Sequence, residues 1–318
     1  MIAPLTLLAF AAVVATTGPR VLRQAVWPGR SPAWGIVAWQ ALTTSMVSAV
    51  VLAGAALAFP AVPFTTDLAA VLEACAAGLR AQYSTPGGAA VSAIGAVLAL
   101  TVLARVAYCL LAGLVAATRA RCRQLQTLAV VAHRDTASGA LVVDHPTAVA
   151  YCLPGRGREI VFTTAALAAL DPDQVRAVVA HEKAHLRGRH DLVMAVATAL
   201  ERAFPKVSAF SQARAEMARL VEMLADDMAV HHADRLTMAT ALVHMAEGSA
   251  PAAALGAGGP TAVVRVRRLI RPADPLGVVR SVLVGIAAVT VMLVPVAVVT
   301  APAVAATMVD YCPIIRPA

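Results

Sequence analysis

Long apolar runs alternate with short arginine-rich segments along this chain, and four of the runs are long enough to cross a bilayer. A hydrocarbon layer about 30 Å thick needs roughly 20 apolar residues as helix. The runs cover about residues 1–17, 33–59, 90–117 and 281–304. The first has no basic segment ahead of its apolar core and is followed by Arg20, Arg23 and Arg30, so it reads as a retained span rather than a cleaved signal peptide. Arg105 interrupts the third run. It either faces a cavity inside the bundle or reaches one end of a shifted span, and the second reading is preferred.

Between the third and fourth runs the pattern changes. Residues 118–278 are less apolar and hold nearly all the acids. Leu128–Val131, Ala140–Val143, Ala148–Leu153 and Glu159–Thr163 have strand character, with turns at His133–Gly139 and Pro154-Gly155-Arg156-Gly157. A short helix over Ala165–Leu170 follows. The next opens at Asp171-Pro172-Asp173-Gln174, an Asp cap with Pro at the first helical position. Another runs from about Ser211 to His232, and Gly248–Pro260 reads as a loop. The predicted fold class is therefore mainly α, with four transmembrane helices and an inserted α+β domain. The expected organisation is a membrane region at 1–117, the inserted domain at 118–278, and the fourth span with a short tail at 279–318.

Composition agrees. Hydrophobic residues make up 59% of the 318 positions and charged residues 14%, against about 25% in soluble domains. The net charge of +8 is almost all arginine, Lys183 and Lys206 being the only lysines. Arginines cluster at 20–30, at 119–123 and at 265–280, beside the spans, whereas the loop between spans two and three carries Asp67, Glu73 and Arg80. This places them by topology rather than by nucleic-acid contact. The positive-inside rule puts both termini outside a plasma membrane and residues 119–280 in the cytoplasm. Trp27, Trp34 and Trp39 fall at the cytoplasmic end of span two, as interfacial aromatics do. Arg265, Arg267, Arg268 and Arg271 read as anchors of span four against anionic lipid. The five cysteines form no C-x-x-C pair. Cys75 and Cys312 lie on one side of the membrane in this topology, a candidate disulfide that needs geometry to decide.

The chemistry is carried by His181-Glu182-Lys183-Ala184-His185 on the helix opened by Asp171. Imidazoles four residues apart share a helix face and can bind one metal, with Glu182 placed as general base. A hydrolytic zinc takes three protein ligands and keeps one position open. Two residues compete to be the third. Glu222 lies on a later helix with Asp226 one turn on, where Asp226 can accept the second N–H of a ligand histidine. Asp191 is the alternative, because His181 to Asp191 reads H-E-x-x-H-x-x-G-x-x-D. Glu222 is preferred. His231 and His232 at the end of that helix are either C-terminal caps or stabilisers of the oxyanion, and Tyr151 is a weaker candidate for the oxyanion role. His133, His145 and His190 read as surface or turn residues.

The combination His181-Glu182-x-x-His185, Asp191, Glu222-x-x-Ala225-Asp226, with Ala148–Thr163 ahead of it, resembles the gluzincin membrane peptidases. Two branches are similar: the heat-shock and CaaX-processing membrane proteases, and the antirepressor sensor-transducers of the bla and mec type. Three spans before the zinc domain and one after it fit the antirepressor branch better. The resemblance implies one zinc per chain, an edge strand at 148–163 that takes substrate as an added strand, and a winged-helix repressor as protein substrate. The chain contains no S-x-x-K, so the penicillin-binding sensor domain of the receptors is not expected here, and sensing is expected to need a partner, a membrane signal or the small loop from Ala61 to Ala89. The expected function is a membrane zinc endopeptidase acting as antirepressor. The rival readings are a quality-control protease for membrane proteins, and a non-catalytic signalling scaffold with structural zinc.

Overall fold

The computed structural model describes residues 2–59, 73, 76–77, 80, 83–155, 157–248, 259–271 and 274–309, with backbone alone at 259–260 and 302–309. Cys75, Cys312 and most of the 61–89 and 248–260 loops lie outside the described residues. Four helices are long and apolar enough to span a membrane: α1 (Ile2–Gln24), α3 (Pro32–Ala58), α4 (Gly88–Val131) and α11 (Val278–Val309). A short α2 (Trp27–Arg30) turns the chain between the first two. Helix α3 is the hub and packs on α1, α4 and α11. At its crossing with α4, Gly54 and Gly95 face each other so closely that a Cβ on either would meet the other's carbonyl at 2.5–2.7 Å. Small residues permit such approach where no hydrophobic effect drives helices together. The outward faces stay apolar, as Ile94, Leu100 and Leu111 on α4 and Ile286 and Leu293 on α11 illustrate.

The third span corrects the sequence reading at its end. Leu128–Val131 is helical, because α4 continues without a break for 44 residues, about 66 Å at 1.5 Å per residue and twice the depth of the hydrocarbon. No Gly or Pro interrupts the stretch from Val115 to Val131, and extending a formed helix costs little per residue. Leu128 packs its buried side chain on Leu153 and Val161 of the sheet. Arg105, on this helix, donates from Nε to the carbonyl of Ala203 at 2.5 Å. It thereby caps the open C-terminus of a following helix, as a cation there favours.

The sheet has order β1-β2-β4-β3, from β1 (His133–Arg134), β2 (Leu141–Val143), β3 (Ala150–Leu153) and β4 (Glu159–Thr163). Strand β2 runs parallel to β4, and β3 pairs antiparallel with β4, leaving β3 at the edge. The helices that follow are α5 (Thr164–Ala169), α6 (Pro172–Gly188), α7 (His190–Ala203), α8 (Ser208–Ala229), α9 (Arg235–Glu247) and α10 (Gly259–Ile270). Helix α6 starts with a full capping box between Asp171 and Gln174, which satisfies two orphan N–H groups reciprocally.

Helix α8 lies along the end of α3. Ile36 and Trp39 pack with Met217, Leu220 and Met223, and a Cβ on Gly35 would stand 2.9 Å from Leu220. Trp39, read from sequence as an interfacial aromatic, is 1% exposed. Its large apolar surface is buried between span and α8 rather than set in the headgroup layer. Arg23 reaches Gln212, and Arg268 reaches both Asp227 and the Gly29 carbonyl, so the inter-span loop is tied to α8 and α10.

Candidate metal centre

Helix α6 places His181 and His185 on one face because they are one turn apart, and α8 lies across that face and brings Glu222 to them. His181 Nε2 and His185 Nε2 are 3.1 Å apart, and each is 3.5 Å from a carboxylate oxygen of Glu222. Among the described residues these three form a group able to hold a metal ion. Ligands bound at 2.0–2.1 Å in tetrahedral geometry stand about 3.3 Å from one another, so the donor triangle has the size and the His-His-carboxylate chemistry that zinc requires. Glu222 is partly exposed, which leaves the group open on one side. Asp191 lies outside this donor group, with Oδ2 3.4 Å from Arg121, although it lines the cleft that adjoins the group.

The surroundings orient His181 and favour its charged form. Its Nδ1 lies 3.0 Å from Oδ1 of Asp226, which is 1% exposed, so the ring can donate there and turn an unprotonated Nε2 to the group. Asp226 is in turn gripped by Arg265, with Nε and Nη2 each 2.7 Å from its two oxygens. Arg265 Nη1 also sits 3.0 Å from Glu222. Arg265 was read from sequence as a lipid anchor, and this is a correction: its side chain is 11% exposed and pairs with the buried Asp226 and the partly exposed Glu222. Arg268 is likewise paired, with Asp227, while Arg267 and Arg271 are exposed. The signal available in the sequence was the i, i+3 spacing of Arg265 and Arg268 against Asp226-Asp227, which pairs only once α10 is known to cross α8.

His231 and His232 do not reach this group. Both are exposed, His231 rests with Nδ1 2.7 Å from the Asp227 carbonyl, and His232 lines a separate cavity on another face of α6. The helix ends at Ala229, and its turn carries both rings away from Glu222. Positive charge comes to the site through Arg265 instead. His190 is also corrected: it is 4% exposed, and its Nδ1 lies 3.0 Å from Nδ1 of His185.

Titration follows the setting. Burial pushes the Glu182 carboxyl up. Burial also opposes charge on His181, but the Asp226 and Glu222 carboxylates outweigh it and raise the pKa to about 9. Burial lowers His185 to about 4. Glu222, despite burial, is held down to about 2 by His181 and Arg265. Burial and the neighbouring Glu182 drive the Cys152 thiol up to about 12. A metal entering this site therefore displaces one proton, that of His181, at any pH between about 4 and 9. The apparent zinc affinity is expected to rise about tenfold per pH unit, or 10²-fold from pH 6 to pH 8. Competition with a chromophoric chelator measures this. A 10⁴-fold rise would mean two protons leave, and a flat profile would mean none does.

A cleft of about 330 Å³ adjoins the group, between edge strand β3 and helices α6 to α8, lined by Cys152 and Pro154 on one side and Leu186, Met194 and Val221 on the other.

Residues 116–204 match the sequence model of Peptidase family M48, a family of zinc metalloproteases. A stretch of 58 residues is 47% identical to the "Protease HtpX homolog" of Thermoplasma acidophilum, and it covers 18% of this chain and 18% of that relative. No solved structure matches significantly. The family match spans the H-E-x-x-H helix and ends ahead of Glu222, Asp226 and Arg265; the first two are candidates from their spacing in the sequence, and Arg265 enters the site by geometry alone. The similarity is therefore to the peptidase region of the M48 type over less than a third of the chain, in a protein that also has four helices long and apolar enough to cross a membrane.

Proposed function

We propose that the protein is an integral membrane zinc endopeptidase whose metal is held by His181, His185 and Glu222. The observation that carries the reading is the convergence of these three donors at 3.1–3.5 Å beside the buried Glu182. Zinc held there would polarise a scissile carbonyl and make a water acidic enough to lose its proton near neutral pH. Glu182 would accept the proton of the attacking water and return it to the leaving amine. Asp226 orients His181, and Arg265 fixes both Asp226 and Glu222. The substrate strand adds to the free edge of β3, and one of its apolar side chains enters the cleft formed by Leu186, Met194 and Val221.

The catalytic unit is taken as residues 118–278, facing the cytoplasm with both termini outside, as the arginine distribution supports. A winged-helix repressor is the proposed substrate, by resemblance to the antirepressor branch, with a separate sensor partner. One observation favours the quality-control alternative. Helix α8 packs on the end of span α3 through Leu220, two residues from Glu222, so a membrane-bound substrate would meet the site without leaving the bilayer surface.

Zinc content of the purified protein in detergent tests the ligand set. Glu222→Ala is expected to lose the metal and Asp191→Asn to keep it. The reverse pattern would make Asp191 the third ligand.

A further inference from the structure

The two histidines of the motif are supported differently. His181 has a buried carboxylate behind it, the usual partner of a ligand imidazole. His185 has another imidazole. Its Nδ1 faces Nδ1 of His190 at 3.0 Å, the rings standing edge to face at 89° with centroids 4.9 Å apart. Two nitrogens at that distance share one proton, and its location follows from the other side of the ring. His185 Nε2 is turned into the donor triangle and must be unprotonated to bind a metal, so the proton sits on Nδ1 and is donated to His190. His190 is then a neutral acceptor at Nδ1 and carries its own proton on Nε2, which is buried and has no hydrogen-bond partner among the described residues. Leaving such a group unmet is costly, so the ring is held by packing and not by its own best hydrogen bonds.

The backbone supplies that packing. Arg189 adopts a left-handed conformation, φ +49, which ends α6 and starts α7 at His190. The sharp reversal folds the His190 ring back over the last turn of α6, where it lies on Gly188. A Cβ at Gly188 would overlap the ring.

We propose that His190 is the positioning residue for His185, its neutral Nδ1 fixing the tautomer and ring orientation that present Nε2 to the metal. This rests on the reading of His185 as a ligand. The test is zinc affinity of the full-length protein in detergent, by chelator competition, for His190→Leu, His190→Asn and His185→Ala. Asn places Oδ1 where the histidine has Nδ1 and keeps the acceptor. His190→Leu is expected to bind zinc about 10–100-fold more weakly, and His190→Asn within about threefold of the native protein. Native affinity in His190→Leu overturns the proposal, and so does equal loss in both variants, which would assign the effect to ring packing alone. If His185→Ala keeps its zinc, the ligand reading itself fails. If only His185→Ala loses it, the ligand stands and the positioning role falls.

Discussion

Glu182→Gln is expected to retain zinc and lose about 10²–10⁴-fold in peptidase activity, the range that a positioned general base contributes. Gln matches Glu in shape and leaves His181 and His185 untouched, so loss of activity with full metal content isolates proton transfer. Glu182 suits this assay because it is buried and its carboxyl is shifted upward by that burial, whereas Glu222 is held ionised at about 2. Two carboxylates in one site are thus pushed in opposite directions, one toward binding protons and one toward binding metal. Casein-type or self-cleavage assays of the purified protein, with metal content determined on the same sample, read both quantities. Equal activity in the variant and the native protein would remove Glu182 from the mechanism. The same variant addresses the substrate. In cells the proposed repressor should persist with Glu182→Gln and disappear with the native protein on induction; equal turnover in both strains would sink the antirepressor role, and accumulation of many membrane proteins in the variant would favour quality control.

Arg265→Met should cost about 3–5 kcal/mol of stability, the penalty for stripping the partner from a buried charge. Asp226 is 1% exposed and takes two hydrogen bonds from this guanidinium, and methionine supplies comparable length without charge. Against a total stability of about 5–15 kcal/mol, that loss is large. The double variant Arg265→Met/Asp226→Leu separates folding from metal binding. Replacing both charges by apolar groups is often neutral or stabilising, so much of the loss should be recovered, while His181 loses its orienting acceptor and zinc affinity should fall about 10–100-fold. Chemical unfolding in detergent micelles and chelator competition provide the two readings. A single variant as stable as the native protein would mean that Arg265 is not needed to compensate Asp226. A double variant with native zinc affinity would mean that Asp226 does not position His181.

The membrane spans and the start of the motif helix were written in local sequence. Apolar length alone marks a span, since lipid demands an uninterrupted apolar stretch. The Asp171 capping box is a contact among residues three apart, and the two histidines share a face because a helix repeats every 3.6 residues. The spacing of Glu222 and Asp226 came from the same periodicity. What local pattern could not supply was everything that depends on which helix crosses which. Leu128–Val131 has strand-forming residues, yet it extends α4 because its Leu128 finds an apolar seat on the sheet. Trp39 lies on a span whose one face is covered by α8, a contact between residues nearly 180 positions apart. Arg265 sits in a run of arginines that looks like a lipid anchor until α10 is laid across α8 and its charge meets Asp226 and Glu222. His190 looks like a turn residue until the left-handed Arg189 folds it back onto His185. By itself the sequence determined the spans, the motif helix and the donor candidates, all short-range properties of one chain segment. Tertiary structure decided which acid could join the two histidines and which side chains hold them in place, because burial and charge pairing arise only where distant segments meet.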